Sequence, residues 1–142
     1  MRLGPAEIIV ILVTLGLLFL PTFFFIRSLQ ALIAEVSVEN RRIEPKQFWY
    51  LFIPLFNLVW QFIVVNRIAD SLKSEFAKRE IEVDEEKPGQ TMGLAFAVLM
   101  CCGAIPNIGA IACLIGGIFF IMYWVKINNF RSLLQQKPQS KA

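Results

Sequence analysis

The amino-acid sequence predicts an all-α polytopic membrane protein, and three observations carry that prediction. Hydrophobic residues make up 56% of the 142, with a mean hydropathy of +0.60, well above a water-soluble composition. The apolar residues fall in long blocks between charged stretches, where a soluble core would spread them with amphipathic periodicity. The Lys and Arg residues stand beside those blocks, so with a net charge of only +3 they read as interfacial anchors rather than a nucleic-acid footprint.

The blocks define four membrane-embedded helical segments, 6–26, 48–66, 92–105 and 108–126, in one membrane domain, 1–142. The first is an almost unbroken apolar run about as long as a ~30 Å hydrocarbon core requires at ~1.5 Å per residue. A cleaved signal has a core of only about 7–15 residues, and no small-x-small site follows this one, so it is expected to be a retained helix. Pro5 suits a first helical turn, and Pro21 predicts a kink or rescue by packing. Beyond Arg27, Leu29, Leu32, Ile33 and Val36 share a face, so the helix should outrun the bilayer before Glu44-Pro45.

Segment 48–66 is long enough to cross but is interrupted by Pro54 and carries Asn57 and Gln61 at membrane depth. Length favours crossing. Charge favours re-entry, because a segment that turns back near Pro54 puts every Lys and Arg except Arg2 on one side. In either arrangement the positive-inside rule places residues 67–91 and the C-terminus in the cytoplasm. Residues 67–83 read as a cytoplasmic amphipathic helix, with Ile68, Leu72 and Phe76 on one face and Glu75/Arg79 at i, i+4. Pro88-Gly89 ends the solvated acidic run after it.

Only Pro106-Asn107 separates the third and fourth segments, which predicts an antiparallel helical hairpin. Tyr123, Trp124 and Lys126 are interface anchors, and the tail 135–142 is expected to be loose.

Read as one α-helix, segment 48–66 puts Tyr50, Pro54, Asn57 and Gln61 on a single polar face, suited to interhelical hydrogen bonds or to lining a path. Gly93, Ala97 and Cys101, and then Gly109, Cys113 and Gly117, repeat every four residues as small-residue ridges for close helix packing. Cys101 and Cys113 fall at about one depth, but without histidine or nearby carboxylates they are read as small buried hydrophobes, not metal ligands. The absence of histidine and of charged residues at the centre of any span argues against an enzyme or a carboxylate-relay carrier. No cofactor is expected.

Trp49-x4-Pro54-x2-Asn57-x2-Trp60, followed by Asn66-Arg67-Ile68, resembles the DUF4328-like group of small bacterial multi-pass membrane proteins. The resemblance implies a bacterial inner-membrane setting and no established activity. Pro106-Asn107 repeats the proline–asparagine pairing of Pro54 and Asn57 ahead of a second apolar helix. The expected function is that of a structural or interaction protein in the lipid bilayer. It would self-associate into a homo-oligomer through the small-residue faces and offer 67–83 to a cytoplasmic protein partner. The alternative is an oligomeric channel or small-solute pore lined by Asn57 and Gln61.

Overall fold

A computed structural model describes residues 2–53 and 55–137. Among the described residues there are four α-helices, α1 (Pro5–Glu35), α2 (Phe56–Lys78), α3 (Gln90–Cys102) and α4 (Gly109–Gln136), with two 3-10 helices, Val38–Asn40 and Pro45–Phe52, between α1 and α2. Among the described residues there is no strand. Among these residues two helices, α1 and α4, are long and apolar enough to cross a membrane, and α3 is a shorter apolar helix.

The Glu7 carboxylate starts α1 by accepting the Gly4 N–H at 2.8 Å. The helix continues through Pro21, beside which the Thr22 hydroxyl donates to the Leu18 carbonyl at 2.9 Å. α1 and α4 run parallel, since Phe25 meets Phe120 and Tyr123, Trp124 donates to Ser28, and Gln135 donates to Glu35. α3 runs antiparallel to both and forms the expected hairpin with α4.

This arrangement gives the molecule two ends. At the head, the last turns of α1, most of α2 and the last turns of α4 enclose a core of Ile26, Leu29, Leu32, Ile68, Leu72, Ile127 and Leu134, with Phe76 edge-on to Phe130. At the other end, α1 presents Ile9, Val10, Leu12, Leu17 and Leu18 outward, and α4 presents Ile111, Leu114, Ile118 and Ile121.

Several boundaries differ from those the sequence predicts. Segment 48–66 is not one helix: a 3-10 arm ends at Phe52, and α2 begins at Phe56 and runs unbroken through Arg67 to Lys78. Helix geometry therefore stops short of 83, and Ile81 and Val83 pack against the core from the following loop. α4 continues to Gln136 because Ile127, Phe130 and Leu134 keep its inner face in the head core. Pro54 and residues 138–142 of the expected loose tail lie outside the described residues.

Candidate functional site

The 3-10 arm and the start of α2 form a hairpin that descends beside α1 and returns. Pro45 occupies the first turn, and the Glu44 N–H donates to the Gln47 side chain at 3.0 Å. In a 3-10 helix residues three apart share a face, which is why Phe48 and Leu51 are both buried. Contacts run backward along α1: the Gln30 amide donates to the Pro45 carbonyl, Trp49 meets Phe23, and Phe52 stacks on Phe19. Leu55, with φ 56°, reverses the chain. α2 then climbs back, and Trp60 Nε1–H donates to the Gln47 carbonyl at 3.0 Å.

The polar face expected for this segment is consequently divided. Tyr50 belongs to the descending arm, where it packs edge-on against Phe56 and Trp60. Asn57 is half-buried at the foot of α2, and Gln61 is buried. The 3-10 period and the reversal at Leu55 separate Tyr50 from the helix that carries Asn57 and Gln61. Among the described residues Gln61 Nε2 has no hydrogen-bond partner, nor has the buried Tyr123 hydroxyl.

The small-residue ridges pack within the chain for most of their length. A Cβ on Gly93 would stand 2.7 Å from Val65 and 3.0 Å from Tyr123, and Ala97 is buried. Gly109 lies so close to the Gly103 carbonyl that no side chain fits, and Gly116 faces Leu99. The α4 side of the seam is thus Gly109, Ala112 and Gly116, a mixed three- and four-residue spacing. On the predicted four-residue ridge, Cys113 is exposed, although its Sγ touches the Gly103 position, and a Cβ on Gly117 would meet nothing within 4 Å. Cys101 is half-buried, and all three cysteines are free. Pro106 and Asn107 form the exposed turn, with Asn107 at φ 73°. Among the described residues no three His, Cys, Asp or Glu converge as metal ligands.

The head is closed by a constellation visible in the sequence only as a helical ion pair. The Glu75 side chain has no exposed surface, and its partner Arg79, at 2.7 Å, is 7% exposed. Glu75 accepts from the Ser37 hydroxyl at 2.8 Å, the Ser37 N–H at 3.2 Å and the Asn40 amide at 2.7 Å. Arg79 also donates to the carbonyls of Glu35, at 2.7 Å, and Leu134, at 2.7 Å, so it caps the last turns of α1 and α4 together. Burial pushes the Glu75 carboxyl up, but the hydrogen bonds from Asn40, Ser37 and Arg79 outweigh it and hold the group below its ordinary value.

The apolar face of α2 that suggested a partner site, Ile68, Leu72 and Phe76, is covered by the chain itself. In the head the polar side of α2, with Lys73 and Lys78, stays exposed. Comparison with protein-family models, curated proteins and solved structures finds no match, so the meaning of these features rests on their own chemistry.

Proposed function

We propose that the chain is a non-enzymatic integral membrane protein of the bacterial inner membrane that holds a folded cytoplasmic head against the bilayer and acts by association. The observation that carries this reading is the division of the surface. Large apolar side chains are exposed along α1 before Phe25 and along α4 before Lys126, while the described Lys and Arg residues other than Arg2 lie on the head or at its lower edge. Such a belt is costly in water and favourable in lipid.

In this topology α1 crosses once, α3 and α4 cross as a hairpin, and the 45–66 hairpin enters and leaves from the cytoplasmic side. The charge distribution then obeys the positive-inside rule with the N-terminus outside. The returning backbone near Leu55 is non-helical and Leu55 is exposed, but the Asn57 and Leu58 N–H groups donate to the Ile53 and Leu55 carbonyls, and α1 packs on the preceding arm through Phe19 and Phe23.

Self-association is supported by Gly117 and by Gly16 of α1, which leave bare backbone on outward helix faces. Mass measurement in lipid nanodiscs tests it: a homo-oligomer that Gly117→Leu converts to monomer is the expected result, and a strict monomer in the unaltered protein sinks it. A pore is the second reading, favoured by the unpartnered Gln61 amide at membrane depth. Ion or solute flux through reconstituted protein, altered by Gln61→Leu or Asn57→Leu, is its signature. A confirmed oligomer without flux retires it.

A further inference from the structure

We infer that the groove between the 38–47 loop and α2 binds the phosphate headgroup of an anionic phospholipid, through Arg42 and Arg67. The inference rests on the membrane reading above and adds a ligand to it. The groove, about 420 Å³, is lined by Arg41, Arg42, Arg67, Glu44 and Gln47.

Charge pairing differs between this groove and the rest of the head. Lys73, Lys78, Arg79, Lys87, Lys126 and Arg131 each have an acidic partner, whereas Arg27 donates to the Gln30 side chain and Lys137 to the Glu80 carbonyl, each alone and away from this groove. Arg41 is committed to carbonyls at the end of α1, donating to Val36 and Ala34. Lys46 neutralises Glu44 at 3.0 Å. Arg42 and Arg67 have no acidic partner among the described residues. Two guanidiniums therefore face one groove with their charge uncompensated, and guanidinium donors match phosphate oxygens in geometry.

The position selects a lipid over a dissolved anion. The Pro45 carbonyl accepts from Gln30, three residues beyond Arg27, which places the groove at the lower edge of the head. The Arg67 guanidinium lies 5.8 Å from the Trp60 ring centroid, and Phe56 stacks on the same ring one turn below. Tyr50, Phe56 and Val59 are exposed there, so the charged groove continues into an apolar surface. A headgroup above and acyl chains below fit that sequence of surfaces. The Arg42 N–H donates to Ser71 Oγ at 2.9 Å and fixes the loop against α2, so the groove is formed before a ligand arrives.

Native mass spectrometry of the full chain in neutral detergent, offered equal amounts of dioleoyl-phosphatidylglycerol and dioleoyl-phosphatidylcholine, tests the inference. Phosphatidylglycerol should be retained preferentially. Arg42→Gln and Arg67→Gln should each reduce that preference about 5-fold, the ratio implied by ~1 kcal/mol per cation at an anionic surface. Lys73→Gln and Lys78→Gln should leave it unchanged. Equal retention of both lipids by the unaltered protein overturns the inference without reference to any variant, as does a preference that survives both arginine substitutions. Loss of the preference in millimolar inorganic phosphate would assign the groove to a free anion and overturn the lipid. A chain that resists alkaline carbonate extraction but lacks lipid preference fails on this point alone, whereas a chain released by carbonate fails on membrane residence itself.

Discussion

The two halves of α1 share one continuous backbone and differ in almost everything else. Leu17 and Leu18 are 70% and 63% exposed, while Leu29 and Leu32, three turns on, are wholly buried. Both halves are apolar enough to be helical anywhere. What differs is the covering: the later half shares one buried cluster with residues of α2, α4 and the 36–51 segment, whereas the earlier half packs Phe19 and Phe23 on the 3-10 arm and leaves its other large side chains exposed. The head is therefore stabilised as a soluble domain is, by burial and satisfied polar groups, and in the proposed membrane topology an apolar solvent stabilises the belt. Interhelical contact in the belt is made by glycines at Gly109 and Gly116 and by aromatic pairs such as Phe96 with Phe120 and Phe25 with Phe120.

The contrast is broken most severely at Arg79. Arg79→Ala leaves the Glu75 carboxylate buried and two helix ends uncapped, which should cost about 3–5 kcal/mol. Unfolding in mild detergent, followed by tryptophan fluorescence and circular dichroism, should show the head melting early while belt helicity persists. Glu75 adds a pH test. Its folded value is depressed, so its stabilisation is present above the ordinary value of 4.5 and is lost as pH falls through the lower folded value. Head stability should be flat near neutrality and decline only in acid, and Glu75→Gln should remove the acid limb.

A smaller effect is expected where the belt is closed. Gly109→Ala places a methyl group against the Gly103 carbonyl and should cost about 1–3 kcal/mol by overpacking, with loss of the α3–α4 hairpin's resistance to proteolysis. Gly89→Ala, at φ 76° and 3.3 Å from both Phe130 and Tyr123, should cost about 1–2 kcal/mol and loosen the start of α3. Lys73→Ala removes an exposed pair with Glu86 and should change stability by no more than ~0.5 kcal/mol in the same assay. A Lys73 effect as large as that of Arg79 would erase the distinction between the buried Glu75–Arg79 clasp and the surface.

Much of the belt was legible in the sequence because hydrophobic run length is a direct readout of helix and solvent. The apolar stretches of α1 and α4, the extension past Arg27 and the turn at Pro106-Asn107 all follow from run length, periodicity and punctuation. The arm Pro45–Phe52 was not, since FWYLF is apolar at every position and carries no period to distinguish a 3-10 helix from an α-helix. Ile68, Leu72 and Phe76 share one buried face of α2. Nothing local says whether such a face meets a partner or its own chain, and here α1 and α4 cover it. The clasp was hidden for a related reason: Glu75 and Arg79 are four apart, but their other partners are Ser37, Asn40 and main-chain carbonyls at Glu35 and Leu134. Backbone carbonyls leave no mark on a sequence.

The proposed topology depends on segment 45–66 entering and leaving on one side. Single cysteines introduced at Leu3, Lys46, Leu55 and Lys73, with Cys101, Cys102 and Cys113 replaced by alanine, can be probed with a membrane-impermeant thiol reagent in vesicles of known orientation. Lys46→Cys and Lys73→Cys should be labelled from the cytoplasmic side, Leu3→Cys from the opposite side, and Leu55→Cys from neither. Labelling of Lys46→Cys and Lys73→Cys from opposite sides would make the segment a crossing helix and contradict the re-entrant topology.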